Sequence, residues 1–389
     1  MKILQRYFAT SIFQAVAFVL AAFLALLAFI DLTGELPAVG KNGYDIGHAF
    51  FYVLILLPGH VYEVMPLASL IGTIYTMAQF ASSSEFTIMR ASSMSTAMAG
   101  KILFKIGIVL VIITFIFGEL ISPRTTQMAE KLKLSARGTT LSQEFRSGLW
   151  SKDIVKSEGM SGKVMGSRFF NVREVRSDGQ LMDVKFYEFD TSFRLRSLIV
   201  AARANYQGNN TWRLQDVTET LFSNRTLSKA GFDPSLQNNF GQQSGMISTV
   251  RSASKDLISE ITPKILSVSA TDPDRMSANE LALYTRHLAE NKQESERFKI
   301  AFWKKLIDPL AIFVLMAMAL PFAYLHSRSG GVSLKIFIGI MIGLSFILIN
   351  TLFSHLGLLS TWPAFLTAIA PSALYLLLAL GALWWVERH

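Results

Sequence analysis

Long apolar runs alternate with short polar connections at both ends of the chain, and the middle third breaks into short alternating segments. Residues 8–30 are apolar apart from Thr10, Ser11 and Gln14. About 20 helical residues at roughly 1.5 Å each cross a bilayer core, so this run predicts a first membrane span. It is too long for the apolar part of a signal peptide, and no small-x-small cleavage site follows it. The apolar segment 49–81 is too long for one straight crossing, and Pro58-Gly59 interrupts it. That pattern predicts an interfacial helix, then a second span over 63–81. A third span is expected over 102–121, ended by Ser122-Pro123. Three more follow over 303–324, 334–356 and 363–386.

Between the two groups of spans the period changes. Runs at 168–175, 181–189, 195–206 and 211–222 alternate like strands and are separated by Asp178-Gly179, Asp190-Thr191 and Gly208-Asn209-Asn210. The pattern predicts a soluble all-β domain, jelly-roll-like, over 124–275. A connecting helix over 276–302 follows, opened by the capping-box string Ser277-Ala278-Asn279-Glu280. The expected fold is therefore a six-span α-helical bundle, 1–123 plus 303–389, interrupted by a β domain.

Charge orients these elements. The segments on the side of the termini carry Lys2, Arg6, Arg90, Lys101, Lys105, Arg328, Lys335 and Arg388. The short loops on the other side carry Lys41 against Asp31, Glu35 and Asp45. By the positive-inside rule both termini are cytoplasmic and the β domain lies outside, which in a Gram-negative inner membrane means the periplasm. Only 17% of the 389 residues are charged and mean hydropathy is +0.37, as expected of a lipid-embedded chain rather than a soluble one near a quarter charged. The net charge of +9 follows from this topology. No zinc-finger spacing, basic helix or basic-aromatic pattern supports nucleic-acid binding. The chain has no cysteine, which removes disulfides and thiolate chemistry.

Candidate chemistry is sparse. No nucleophile elbow, zinc-protease string or paired-carboxylate arrangement stands out, and Gly159-Met-Ser-Gly-Lys163 lacks the spacing of a phosphate-binding loop. Neither a catalytic residue, a metal site nor a cofactor is expected, and any ATP hydrolysis would belong to another subunit. The loop after span two reads as a short amphipathic helix, with Ser82-Ser83-Ser84 as cap and Glu85 in its first turn. Phe86, Met89 and Arg90 share helical spacing; they either enter a partner's groove or lie on lipid. The intramembrane polar residues Glu63, Glu119, Lys304, Lys305, Asp308 and Asn350 stand near span ends, and Asp308 is at pairing distance in sequence from Lys304 and Lys305. Lys131, Lys133 and Arg137 place positive charge on the outer side, against the topology; they either ask for an anionic partner or form the solvated face of a connecting helix, partly balanced by Glu130.

Several strings in order resemble the LptF/LptG family of lipopolysaccharide export permeases. They are Ser84-Glu85 with Met89 and Ala91-Ser92, Gly118-Glu119 with Pro123, Gly148-Leu-Trp-Ser-Lys-Asp153, Trp212-Arg-Leu, and Met318-Ala-Leu with Phe322. The resemblance, with the three-plus-three layout, covers nearly the whole chain. It implies a permease of an ATP-driven exporter that takes lipopolysaccharide from the inner membrane, pairs with an LptF paralogue, stands on an LptB ATPase dimer and joins LptC. It also implies a coupling helix over 82–95 with Glu85 as its ATPase-contacting acid, and a lateral gate of spans one and five. Where the family often has lysines at the outer end of span one, this chain has Asp31, Leu32 and Glu35. The candidate headgroup contacts are therefore Lys41, Lys131, Lys133 and Arg137, and the candidate cavity lining is Phe23, Leu26, Leu27 and Phe29. A coupling-helix glycine of the family is Ser93 here.

Two alternatives remain on the residues alone: the permease of a different exporter, or a membrane scaffold or sensor whose outer domain binds a partner. A co-purifying ATPase that responds to lipid separates export from scaffolding.

Overall fold

The first apolar run forms one helix, α1 (Lys2–Glu35), closed by a 3-10 turn through Leu36-Pro37. In the computed structural model, described for residues 2–41, 43–91, 95–137, 148–159, 161–176, 179–222, 247–269, 272–324, 331–360 and 362–388, α1 buries one stripe only. Phe8, Ile12, Ala15 and Val16 recur at helical spacing on the side facing the second helix, α2 (Ile46–Ser82). Gly72 of α2 permits that approach: a Cβ there would sit 2.7 Å from the backbone nitrogen of Val16. The opposite face of α1 is open, with Phe18 and Phe29 exposed.

The expected break at Pro58-Gly59 does not occur. α2 begins at an Asp45 cap that accepts the His48 N–H at 2.9 Å, and it continues through Pro58 and Pro66. At about 1.5 Å per residue its 37 residues reach roughly 55 Å, so the first turns extend beyond a bilayer core of about 30 Å. In a membrane an open chain break leaves backbone groups unsatisfied, and neighbouring helices and hydroxyls support a proline instead. The buried hydroxyls after Pro66 are themselves satisfied along the helix: Ser69 Oγ donates to the Pro66 carbonyl at 2.7 Å, and Thr73 and Thr76 donate to the Ser69 and Gly72 carbonyls.

The short helix α3 (Glu85–Ala91) leads into α4 (Thr96–Phe115), capped by Ser95. The third span does not end at Ser122-Pro123. A π turn over Ile116–Ile121 takes up one extra residue per turn, and α5 (Ser122–Arg137) carries on with Pro123 in its first turn. The wider π register accommodates the proline, which has no N–H to donate to the turn before it. The returning helices are α8 (Glu296–Ile307), α9 (Ala311–Ala319), α10 (Val332–Leu359) and α11 (Ala364–Arg388), with 3-10 turns Asp308–Leu310 and Leu320–Ala323 flanking α9. Among the described residues six helices, counting those continued through turns, are long and apolar enough to span a membrane, matching the predicted number.

The described residues fall into two compact units. The first, 1–133 with 272–286 and 294–389, has α2 at its centre, contacting α1, α4, α9 and α10. The second, 134–271 with 287–293, is built on one antiparallel sheet of six strands, each paired with its neighbour in sequence. They are β1 (Leu149–Glu158), β2 (Ser161–Val175), β3 (Leu181–Asp190), β4 (Leu195–Gly208), β5 (Thr211–Phe222) and β6 (Ile247–Ile258), and the short helix α6 (Pro263–Ser269) follows them. Phe170, Phe186 and Ile199 lie opposite one another on adjacent strands, and Phe170 stacks on Phe186 at 4.6 Å. Fully buried Trp212 donates its indole N–H to the Ile261 carbonyl at 2.7 Å. The hairpin at Asn209-Asn210 has both residues at positive φ, as a type I′ turn requires.

Four strands match the alternating runs. β1 and β6 are additional: β6 is exposed along nearly its whole length and gives no apolar period to read. The connecting helix is two, α7 (Ala278–Glu290) and α8, parted by a turn at 291–295. Its predicted capping box is closed, with Glu280 Oε2 accepting the Ser277 N–H at 3.0 Å and Ser277 Oγ accepting the Glu280 N–H at 3.2 Å.

Candidate functional site

The α2–α3 connection turns on Ser84, whose φ of +60° puts it in the left-handed region just past the α2 C-cap. The chain then doubles into α3, and this fixes which faces of α3 point where. Phe86 and Met89 are buried in the helical core, so neither is available to a partner's groove; both sequence readings of these two are corrected by their packing. Phe86 meets the edge of Tyr324 at 5.1 Å, Arg90 lies over the same ring at 4.9 Å, and Tyr324 shares a 2.6 Å hydrogen bond with Thr96. The outward face is Thr87, Ile88, Arg90 and Ala91, with Glu85 at its edge. Glu85 accepts from Tyr7 O–H at 3.0 Å and from Ser83 Oγ at 2.9 Å. Tyr7 ties the start of α1 to α3, a contact with no signature in sequence spacing. The expected helix 82–95 is thus shorter: Ser82 and Ser83 finish α2, α3 ends at Ala91, and Ser92, Ser93 and Met94 lie outside the described residues.

The opposite end of α1 is held by a second set of polar contacts. His60 Nε2 lies 2.7 Å from Asp31 Oδ2, and its Nδ1 lies 3.1 Å from Glu63 Oε2, so one imidazole joins two carboxylates. Glu35 accepts from Lys133 Nζ at 2.6 Å and from Tyr44 O–H at 3.2 Å. Lys133 also stands 4.7 Å over the Tyr52 ring and is largely covered. Its charge is therefore met inside the chain, and Lys133 is no open headgroup contact. The unusual acid Glu35 and the unusual base Lys133 explain each other. Lys131 is exposed on α5, and Lys41 is exposed in the turn before α2. The Arg137 side chain lies outside the described residues.

Between α1, α2, α8, α9 and α10 opens a cleft of about 370 Å³. One part of its wall is apolar, with Leu27, Leu67, Leu315, Phe346 and Ile347; the other carries Glu63, Asp274, Lys304, Lys305, Asp308 and Asn350. Of the four aromatic and aliphatic lining candidates on α1, Leu27 reaches this cleft. Phe23 is half-buried, and Leu26 and Phe29 are exposed on the helix surface. Asp308 does not pair with Lys304 or Lys305. The Asp308 N–H still bonds the Lys304 carbonyl in ordinary helical register, but its side-chain Oδ1 faces Asn350 Nδ2 at 3.4 Å. Lys305 turns onto Tyr62, with Nζ 4.3 Å from the ring centre.

No cluster of metal-ligating side chains occurs among the described residues. The arrangement has two working parts: a short helix with one acid and one base at its surface, and an amphipathic intramembrane cleft.

The model of the family described as lipopolysaccharide export system permease LptF/LptG matches residues 6–387. The chain is 28% identical over 384 residues to the lipopolysaccharide export system permease protein LptG of Escherichia coli K12, covering 98% of each. It is also 28% identical over 384 residues to the protein of the same name from Haemophilus influenzae, covering 98% of this chain and 97% of that one.

Proposed function

The chain belongs to the LptF/LptG family of lipopolysaccharide export system permeases, and from that premise we propose that it is one permease subunit of an ATP-driven lipopolysaccharide exporter. It is a multi-pass inner-membrane protein that does not itself hydrolyse ATP. The family match over nearly the full length carries this reading. The spans are consistent with a paired assembly, because α1, α10 and α11 leave long apolar faces uncovered within the chain. A second six-span subunit, an LptF paralogue, would cover part of that surface and lipid the rest.

In this reading the basic short loops put both termini and α3 in the cytoplasm, and the sheet in the periplasm. A dimeric LptB ATPase would dock on the outward face of α3, with Glu85 and Arg90 as its charged contacts and Ile88 as its apolar one. Closure of the ATPase would push α3, and Tyr7 would carry the displacement to α1. The cavity between the paired subunits would narrow, and the lipid would leave toward the β domain and LptC. Lys41 and Lys131 are the exposed bases placed to meet its phosphates.

The test is reconstitution of the whole complex in proteoliposomes with labelled lipopolysaccharide, followed by crosslinking to the inner face of the β sheet. ATP-dependent adduct formation is expected. A complex that hydrolyses ATP but never forms the adduct would point to another cargo.

A further inference from the structure

The cleft contains a side chain that protein groups leave unsatisfied. Lys305 is only 4% exposed, yet among the described residues no acceptor lies within hydrogen-bond distance of its Nζ. The Tyr62 face offsets part of the cost of burying that ammonium, but an aromatic ring does not replace a hydrogen-bonded anion. Lys305 lines this cleft beside Lys304, which likewise has no ion-pair partner among the described residues. An anionic group entering here would meet two ammonium groups at membrane depth, where charges are rarely placed without a use.

A bare phosphate does not fit the rest of the wall. Glu63, Asp274 and Asp308 line the same cleft and would repel it. Asp308 has only the long contact from Asn350, and Glu63 uses one oxygen on His60. These carboxylates call for a cation close to the anion. The apolar stretch from Leu67 to Phe346 and Ile347 continues from the polar part, as a lipid with a charged head and acyl chains requires.

We propose that the cleft is a binding site for a phosphate-linked primary amine on a lipid headgroup, with the phosphate at Lys304 and Lys305 and the ammonium at Glu63 and Asp308. This deepens the export reading and rests on it: the permease would distinguish amine-modified from unmodified glycolipid. Each charge-assisted contact is stronger than a neutral one, so the modified headgroup gains where the unmodified one is repelled.

The full complex, with its partner permease and ATPase, is placed in phosphatidylglycerol nanodiscs, which hold no amine. Retention of bisphosphorylated lipid A is compared with retention of the same lipid A bearing phosphoethanolamine. Roughly tenfold better retention of the amine-bearing lipid is expected, equal to one contact of about 1.4 kcal/mol. The isosteric pair Glu63→Gln with Asp308→Asn should abolish the preference while unmodified lipid A is still held. Lys305→Met should weaken both lipids. Phosphatidylethanolamine as competitor tests whether a phospholipid can also supply the amine: displacement means either source fits, and no displacement means the glycolipid alone does. Equal retention of the two lipid A forms, or a preference that survives the double substitution, overturns the proposal and leaves the export reading standing. An intact complex that retains neither form overturns both.

Discussion

The carboxylate of Glu119 accepts the backbone N–H of Ala278 at 2.9 Å, so a side chain in the π turn of the third span caps α7, 159 residues further along. The acid sits where the free N–H groups and the positive end of the α7 dipole converge. The contact works beside the Ser277–Glu280 capping box rather than in place of it. Replacing Glu119 with Ala should cost about 0.5–2 kcal/mol, the ordinary range for a lost helix cap. Glu119→Gln, which keeps an acceptor, should recover most of it. Thermal unfolding of the purified complex, with hydrogen exchange at the first turn of α7, distinguishes the two.

The spans were legible because lipid imposes a length and an apolar composition that few other environments demand. The details of α2 were not. Pro58-Gly59 carries a strong local breaking signal, but tertiary packing and the bilayer override it. The same holds at Pro123, where a π turn absorbs the proline. Site residues split by the kind of contact that holds them. Glu85 was visible because capping chemistry is local, whereas Tyr7–Glu85, Asp31–His60 and Glu35–Lys133 join residues 78, 29 and 98 apart and leave no spacing to read. Phe86 and Met89 show why amphipathic spacing alone is ambiguous: the same stripe serves a partner's groove or the chain's own core, and here Tyr324 is against it.

α3 separates a surface role from a packing role on neighbouring residues. Reversing Glu85 to Lys changes an edge residue and should abolish co-purification of the ATPase while the subunit's melting temperature holds. Phe86→Ala empties a core position and should cost about 3–5 kcal/mol of stability, with ATPase binding lost only as the subunit unfolds. Pull-down and melting of both variants decide it; an ATPase that binds Glu85→Lys normally removes the coupling role.

Gly72 sets how closely α1 approaches α2. A Cβ at this position meets backbone and side chain of Val16 at 2.7 to 2.8 Å, and a backbone cannot step aside as a flexible side chain can. Gly72→Ala should therefore destabilise the subunit by about 1–3 kcal/mol despite the better helix propensity of alanine. Engineered cysteines at Ile12 and Thr76, one turn along each antiparallel helix from the Val16–Gly72 contact toward the Phe8–Phe80 contact, should also crosslink more slowly in the variant, because α1 is pushed outward.

Burial in the β unit holds the His287 imidazole below its ordinary pKa of 6.5, with Glu260 and Glu290 opposing that shift. The unfolded chain therefore binds the proton more readily than the folded one, and stability is lost as pH falls from about 6.5. Protection of the sheet amides in hydrogen exchange should decline between about pH 7 and pH 5. His287→Gln should flatten that decline; an unchanged pH profile in the variant would assign it to other groups.

Asp153 and Arg168 form the buried polar joint of the sheet. Arg168 donates to the Ile258 carbonyl at 2.8 Å, pairs with Glu188 at 2.8 Å and reaches Asp153 Oδ2 at 3.5 Å, where Ser259 Oγ also donates at 2.6 Å. One guanidinium thus touches strands β1, β3 and β6 from β2. Burial raises the Asp153 pKa, with Ser259 and Arg168 working against it. Replacing Arg168 with Met leaves Asp153 and Glu188 without their cation and the Ile258 carbonyl without its donor. A buried pair broken on one side typically costs about 3–5 kcal/mol, more than the pair contributes as a whole. Asp153→Asn in the same chain removes the stranded charge and should restore part of the loss, so the two substitutions are far from additive. A double-mutant cycle on sheet stability measures that coupling, and an additive result would mean that Arg168 acts through Glu188 and Ile258 alone.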